Sequence, residues 1–214
     1  MRTAIDTGCE LRIARLFHAL WHGERIACAI AMRQARVCHE PRARRFFALQ
    51  ATQEALHATV FLAAATLLAP RARSLRTPAI AALDDYRRRL DDDLAAGDLA
   101  GSVVGLQVVL EGLGEVVLKR LNPELNRHGA RFAPWQKLLL AQEDIHHAFG
   151  CRWIRRGSGS ALPALAASAR DYLSLGSRVL AASEELFGYG LSTAASYEAQ
   201  LRATLPEALR AEQP

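Results

Sequence analysis

The stretch QEALH at residues 53–57 returns as QEDIH at residues 142–146, 89 positions further along the chain. Each copy is Gln-Glu-x-x-His, and each sits inside an apolar segment. Residues three apart on an α-helix project from one face. Glu54 with His57, and Glu143 with His146, therefore form two pairs that each aim a carboxylate and an imidazole at one place. The reading of the fold follows from what surrounds these pairs.

Working outward, the flanking segments carry helical periodicity. A first helix spans about residues 10–37, with Ile13, Phe17, Leu20, Glu24, Cys28 and Ala31 on one stripe. It breaks at Cys38-His39-Glu40-Pro41, because Pro suits a helix start and not a helix interior. A second helix runs to Leu68 with Phe47, Glu54, His57, Phe61 and Leu68 aligned. A long connection, 70–100, holds a shorter helix at 80–96 between Pro78 and Gly97. The third long helix is SVVGLQVVLEGLGEVVLKRL (102–121), with Val104, Gln107, Glu111, Leu118 and Leu121 facing one way, ended by a turn at 122–126 and by Gly129. The fourth spans 133–156, with Trp135, Leu139, Glu143, His146, Gly150 and Trp153 aligned. After a linker at 157–160, two helices are predicted at 163–187 and 191–209, broken at 188–190. Hairpin, long crossover and hairpin predict an all-α, four-helix bundle over 10–157, with 158–214 a helical extension of the same single domain, 1–214.

Four acids, Glu24, Glu54, Glu111 and Glu143, lie on stripes that face the core, and no Lys or Arg shares those stripes. One unpaired buried carboxylate costs several kcal/mol, so four need compensation. Two divalent cations would cancel the charge, with His57 and His146 as neutral nitrogen ligands. Depth agrees. The midpoint between Glu24 and the 54/57 pair falls at residues 39–41, on the Pro41 break. That between Glu111 and the 143/146 pair falls near 127–129, beside the second turn. Glu115 fits this levelling less well than Glu111. The predicted metal ligands are Glu24, Glu54, His57, Glu111, Glu143 and His146.

Composition narrows the rest. No charge-free run of 18 apolar residues predicts a membrane span, and the N-terminus lacks the pattern of a secretory signal. The four cysteines (Cys9, Cys28, Cys38 and Cys151) form no CxxC pair, which argues for reduced thiols, a cytoplasmic setting, and no zinc ribbon or rubredoxin-type site. The net charge of +5 is almost entirely Arg, since Lys119 and Lys137 are the only lysines. Clusters at Arg42-Ala-Arg44-Arg45 and Arg87-Arg88-Arg89 lack aromatic interleaving and read as a solvated face, so no nucleic-acid partner is predicted.

Glu24, Glu54-x-x-His57, Glu111 and Glu143-x-x-His146 together resemble the ferritin-like di-iron carboxylate superfamily over residues 10–157. The crossover helix and the added C-terminal helices are most similar to its aldehyde-deformylating oxygenases. The resemblance implies two iron ions, or Mn/Fe or Mn/Mn, with dioxygen as co-substrate. It implies an oxidase or oxygenase acting on a small apolar organic molecule. A separate electron donor of the ferredoxin or reductase kind follows, because no such module is fused, and a homodimer is compatible. The alternative is a ferroxidase, iron-handling or peroxide-reducing protein. One departure stands out. Many relatives carry Asp where this chain has Gln53 and Gln142, each four residues before its own His and so placed to orient an imidazole; a neutral amide makes that imidazole a weaker donor.

Smaller features take two readings each. Gly101, Gly105, Gly112 and Gly114 around Glu111 mean either room for a substrate or close helix packing. Phe17, Phe47, Phe61, Leu118 and Trp153 are either substrate lining or core. Cys28, one turn beyond Glu24, either approaches the metals or packs as a small apolar residue. His147 is an alternative ligand or a partly exposed flank, and His18 with His22 an i, i+4 pair on the surface. All four tyrosines fall outside the four ligand helices.

Overall fold

The computed structural model describes residues 7–71, 74–127, 133–157, 161–187 and 194–210. Among them the chain is all-helical: α1 (Thr7–Val37), α2 (Pro41–Leu68), α3 (Pro78–Ala95), α4 (Leu99–Val103), a π-helical segment (Val104–Leu110), α5 (Glu111–Arg127), α6 (Ala133–Gly157), α7 (Leu162–Ala182), α8 (Glu184–Phe187), α9 (Ala194–Thr204) and α10 (Glu207–Arg210). The predicted turn at Gly129, the linker at 158–160, the break at 188–190 and Tyr189 lie outside the described residues.

Local chemistry sets the ends. The Glu40 carboxylate accepts from the backbone N–H groups of Arg42 and Ala43, capping α2 just before Pro41. Gly97, at φ 78°, makes the left-handed turn that closes α3. Asp98 then caps α4 through the Gly101 N–H. One predicted end is corrected: the third long helix does not stop at Asn122 but continues through Pro123 to Arg127. A proline's fixed φ suits a helix and forfeits one N–H bond.

α1 and α2 pack along their length as one hairpin. α4, the π segment, α5 and α6 form the second, and α2 meets α6 across the site. α3 and α7 close over the π segment, and α9 covers α5 and α7. The C-terminal helices thus belong to the same core, with Tyr172, Tyr197 and Leu201 fully buried. Leu99–Lys119 is long and apolar enough by composition to cross a membrane, a run the charge-free criterion passes over; 94% of that window is buried inside the protein.

The π segment exists where three neighbours press on one helix. A Cβ at Gly105 would lie 2.4 Å from Tyr172 Cζ and 2.7 Å from Leu90. The Tyr86 hydroxyl donates to the Gly105 carbonyl at 2.7 Å, giving the widened turn a donor. Tyr172 donates to Asp93 at 2.6 Å, and Asp93 also pairs with Arg89. Burial pushes the Tyr172 phenol well above its usual range, reinforced by that bond to Asp93. At Gly150 of α6 a Cβ would stand 2.6 Å from the Cβ of Gln107. Gly101, Gly105 and Gly112 are therefore close-packing glycines, while Gly114, whose Cβ would sit 3.7 Å from Glu143, is the one with ordinary room.

Two alignments are corrected. Trp135 is 48% exposed rather than inward; eight residues before Glu143, it has drifted about 80° around the helix at 100° per residue. Phe17, Phe47, Phe61 and Leu118 are buried core, and none of them, nor Trp153, lines the cavity beside the acids.

Candidate metal centre

All six predicted ligands converge. Glu24 comes from α1, Glu54 and His57 from α2, Glu111 from the start of α5, and Glu143 and His146 from α6. They form two overlapping groups, Glu24–Glu54–His57–Glu143 and Glu54–Glu111–Glu143–His146, in each of which the ligand atoms lie within 4.8 Å of one another. Glu54 and Glu143 belong to both groups.

His57 Nδ1 is 2.9 Å from Glu54, 3.3 Å from Glu143 and 3.5 Å from Glu24. His146 Nδ1 is 2.9 Å from the other oxygen of Glu54 and 3.6 Å from Glu111. Ligand atoms about 2.1 Å from one divalent ion stand roughly 3.0–3.4 Å apart in octahedral or tetrahedral shells, so these separations match a shared ion.

The hydrogen bonds on the far side of the rings decide which nitrogen is free. His57 Nε2 lies 2.6 Å from Gln142 Oε1, and His146 Nε2 lies 2.8 Å from Gln53 Oε1. An amide oxygen only accepts, so each Nε2 carries the proton and donates it. Each Nδ1 then presents a lone pair toward carboxylate oxygens. Accordingly His57 Nδ1, His146 Nδ1, Glu54 Oε2 and Glu143 Oε1 are buried without a hydrogen-bond partner. Lone pairs facing lone pairs in a dry core call for a cation.

The glutamine pairing corrects the sequence reading. Each Gln serves the other hairpin's imidazole rather than its own. Four residues along a helix set Gln53 near the edge of His57, but the two His rings lean inward, and the partner's amide across the α2/α6 seam lies at the outer nitrogen.

Charge tells the same story. Burial pushes the Glu24 and Glu111 carboxyls well above the usual range, and the other acids' negative charges add to it. Glu54 is held low despite its burial, by its contacts with both imidazoles. His57 is raised against its burial by Glu143, Glu24 and Glu54, so in the metal-free chain a proton on its Nδ1 stands where a cation would otherwise face these carboxylates.

A buried amide ladder extends from the acids. Gln50 donates to Glu54 (3.0 Å) and Glu111 (2.7 Å), Gln107 donates to Gln50 (2.9 Å) and Gln34 (2.7 Å), and Gln34 donates to Ser102 (2.9 Å). Sequence reasoning missed Gln34, Gln50 and Ser102 and read Gln107 only as a stripe residue. A signal was present: Gln50 and Gln107 each stand four residues before a ligand Glu.

The remaining candidates separate from the ligand groups. Cys28 is half-buried, its thiol pushed up by burial and by the charge of Glu54, and it belongs to neither group. His147 is more enclosed than a flank residue, facing Glu115 at 3.9 Å and Cys151 at 3.6 Å. Glu115 pairs with Lys119. His22 bonds Asp84 of α3 at 2.8 Å, and neither it nor His18 belongs to a ligand group among the described residues. Arg87 and Arg88 are ion-paired with Asp91 and Asp85 on a solvated face of α3, whereas Arg89 pairs with the buried Asp93.

A cavity of about 80 Å³ opens on Glu24, Glu111 and Glu143. That is several times the roughly 10–15 Å³ one water needs. Its other walls are apolar, including Leu20, Leu83, Leu113, Val117 and Val179, with Gly23 and Gly114 beside the acids. No family model, curated protein or solved structure matches the chain.

Proposed function

We propose that the chain is a ferritin-like four-helix bundle with a long crossover and a C-terminal extension, and that it is a dinuclear iron oxidase or oxygenase acting on a small apolar organic substrate. The observation that carries the metal reading is the set of four buried, unpartnered ligand atoms, two imidazole nitrogens and two carboxylate oxygens, inside two overlapping donor groups. Oxygen- and nitrogen-donor sets with bridging carboxylates suit first-row divalent ions. Two such ions would bring four positive charges to four carboxylates, and iron, when bound, would supply electrons to dioxygen.

The chain's own residues do the rest. Glu24 and His57 would hold one ion and Glu111 and His146 the other, with Glu54 and Glu143 contributing to both. Gln142 and Gln53 hold the ring protons on Nε2 and so keep Nδ1 free. The cavity favours an oxidase or oxygenase over iron storage, because its apolar wall meets the acids directly and excludes water from whatever lies there. An apolar group fits it; a charged one would be stripped of its hydration.

The test is metal content followed by oxygen uptake. After anaerobic Fe(II) loading, about two ions per chain should bind, and Glu54→Ala or Glu143→Ala should abolish both. Oxygen consumption that is slow alone and accelerated by apolar aldehydes or hydrocarbons supports the oxygenase reading. Stoichiometric iron oxidation indifferent to every organic compound would replace it with a ferroxidase.

A further inference from the structure

The 89-residue repeat that places the metal motif also extends to the outside of the protein. Leu49, Gln53 and Leu56 on α2 correspond, 89 positions on, to Leu138, Gln142 and Ile145 on α6. The four apolar members are exposed rather than buried: Leu49 58%, Leu56 47%, Leu138 45% and Ile145 53%. Spacings of four and seven put each trio on one helix face, and the crossed Gln–His bonds tie the two trios across the α2/α6 seam. The result is a patch with approximate two-fold symmetry that includes the two glutamines bonded to the outer nitrogens of both imidazoles.

The rest of α2 agrees. Every exposed position between Phe46 and Leu68 is Ala, Leu or Thr, with no charge among them. A helix apolar on both faces is one that something covers.

We propose that this face is covered by a second copy of the chain, in a two-fold dimer that seals the Gln53–His146 and Gln142–His57 hydrogen bonds from water. Three observations favour a copy of itself over another occupant. An isologous contact needs a self-complementary patch, and this one is uncharged and already nearly symmetric. Elsewhere the surface carries the chain's Arg excess, net +5, which opposes self-association; this patch lacks it. The size is adequate as well. Followed beyond the trios over the 18 residues (about 27 Å) from Leu49 to Thr66 and the facing turns of α6, two helix faces about 10 Å wide give roughly 540 Å² per copy, or about 1,000 Å² in total, the size a specific interface has to clear, with exposed Lys137 and Asp144 of α6 at its edge. Covering the patch also completes the site, because Gln53 and Gln142, which hold the imidazole protons, are only partly buried in the single chain.

The experiment uses the full-length, metal-free protein, so its outcome is independent of whether the iron reading holds. Light scattering and sedimentation at micromolar concentration should give a dimer for the wild type. Leu56→Arg with Ile145→Arg, both at exposed positions, should give a folded monomer by circular dichroism, with dimer affinity weakened at least 100-fold. Val37→Arg, exposed on α1 away from the patch, should leave the dimer intact. In proton NMR the two imidazole Nε2–H signals should be sharp in the dimer and broadened by exchange with water in the monomeric variant. A wild type that stays monomeric, as expected if a lipid surface or another protein is the occupant, would overturn the proposal. So would a double variant that dimerises as tightly as wild type. Imidazole signals equally sharp in dimer and monomer would overturn the sealing of the site.

Discussion

Replacing Gln142 by Leu is the sharpest probe of how the centre is wired. Gln142 Oε1 accepts the Nε2 proton of His57 at 2.6 Å, and the His57 side chain is 1% exposed. Removing the acceptor leaves a buried N–H with no partner, which costs about 1–3 kcal/mol. It also frees the imidazole to place its proton on Nδ1, the nitrogen aimed at Glu54. Loss of a hydrogen bond behind a ligand His lowers metal affinity about 10–100-fold, equivalent to roughly 1.4–2.7 kcal/mol. A double-mutant cycle in urea, on metal-free protein, decides which His is affected. Gln142→Leu combined with His57→Gln should show a coupling of about 1 kcal/mol or more, because the orphaned donor vanishes with the ring. Gln142→Leu combined with His146→Gln should be additive within about 0.5 kcal/mol. If the coupling instead lies with His146, one turn away on the same helix, the crossed arrangement is wrong.

Three further outcomes follow. Gly150→Ala forces a Cβ to within 2.6 Å of Gln107, and an overpacking cost of about 1–3 kcal/mol should exceed the gain of about 1 kcal/mol from Ala in a helix; a lowered thermal midpoint with reduced metal content is expected, and a raised midpoint would contradict the close packing. Glu24 and Glu111 are raised above the ordinary carboxyl value of 4.5, so in metal-free protein the stability they contribute is present below that value and is lost as pH rises through their folded values, with raised His57 acting in the same direction. Urea midpoints of the metal-free protein should therefore fall as pH rises from about 5 to 8; metal uptake should release protons and tighten with pH, and a flat profile would count against the buried acids. Gly23→Leu enters a space where a Cβ meets nothing within 4 Å and should abolish apolar ligand binding in the cavity while leaving the metal content unchanged; persistence of both would exclude the cavity as the substrate site.

The sequence alone carried the all-helical fold, the main helices and all six residues of the candidate site. It did so because the site is written in helical spacing: Glu54 and His57, and Glu143 and His146, are fixed relative to each other by one turn of backbone. Glu24 and Glu111 follow from levelling across two hairpins whose turns are marked by Pro41 and Gly129. Only the tertiary structure could decide contacts between helices that no local spacing constrains. The swap that gives Gln53 to His146 and Gln142 to His57 depends on how α2 and α6 lean together. The Gln34–Gln107–Gln50 ladder joins residues from three elements, and the π turn at 104–110 arises where Tyr86, Tyr172 and Leu90 press on Gly105. A helix dictates its own faces; which face meets which neighbour is a property of the packed chain.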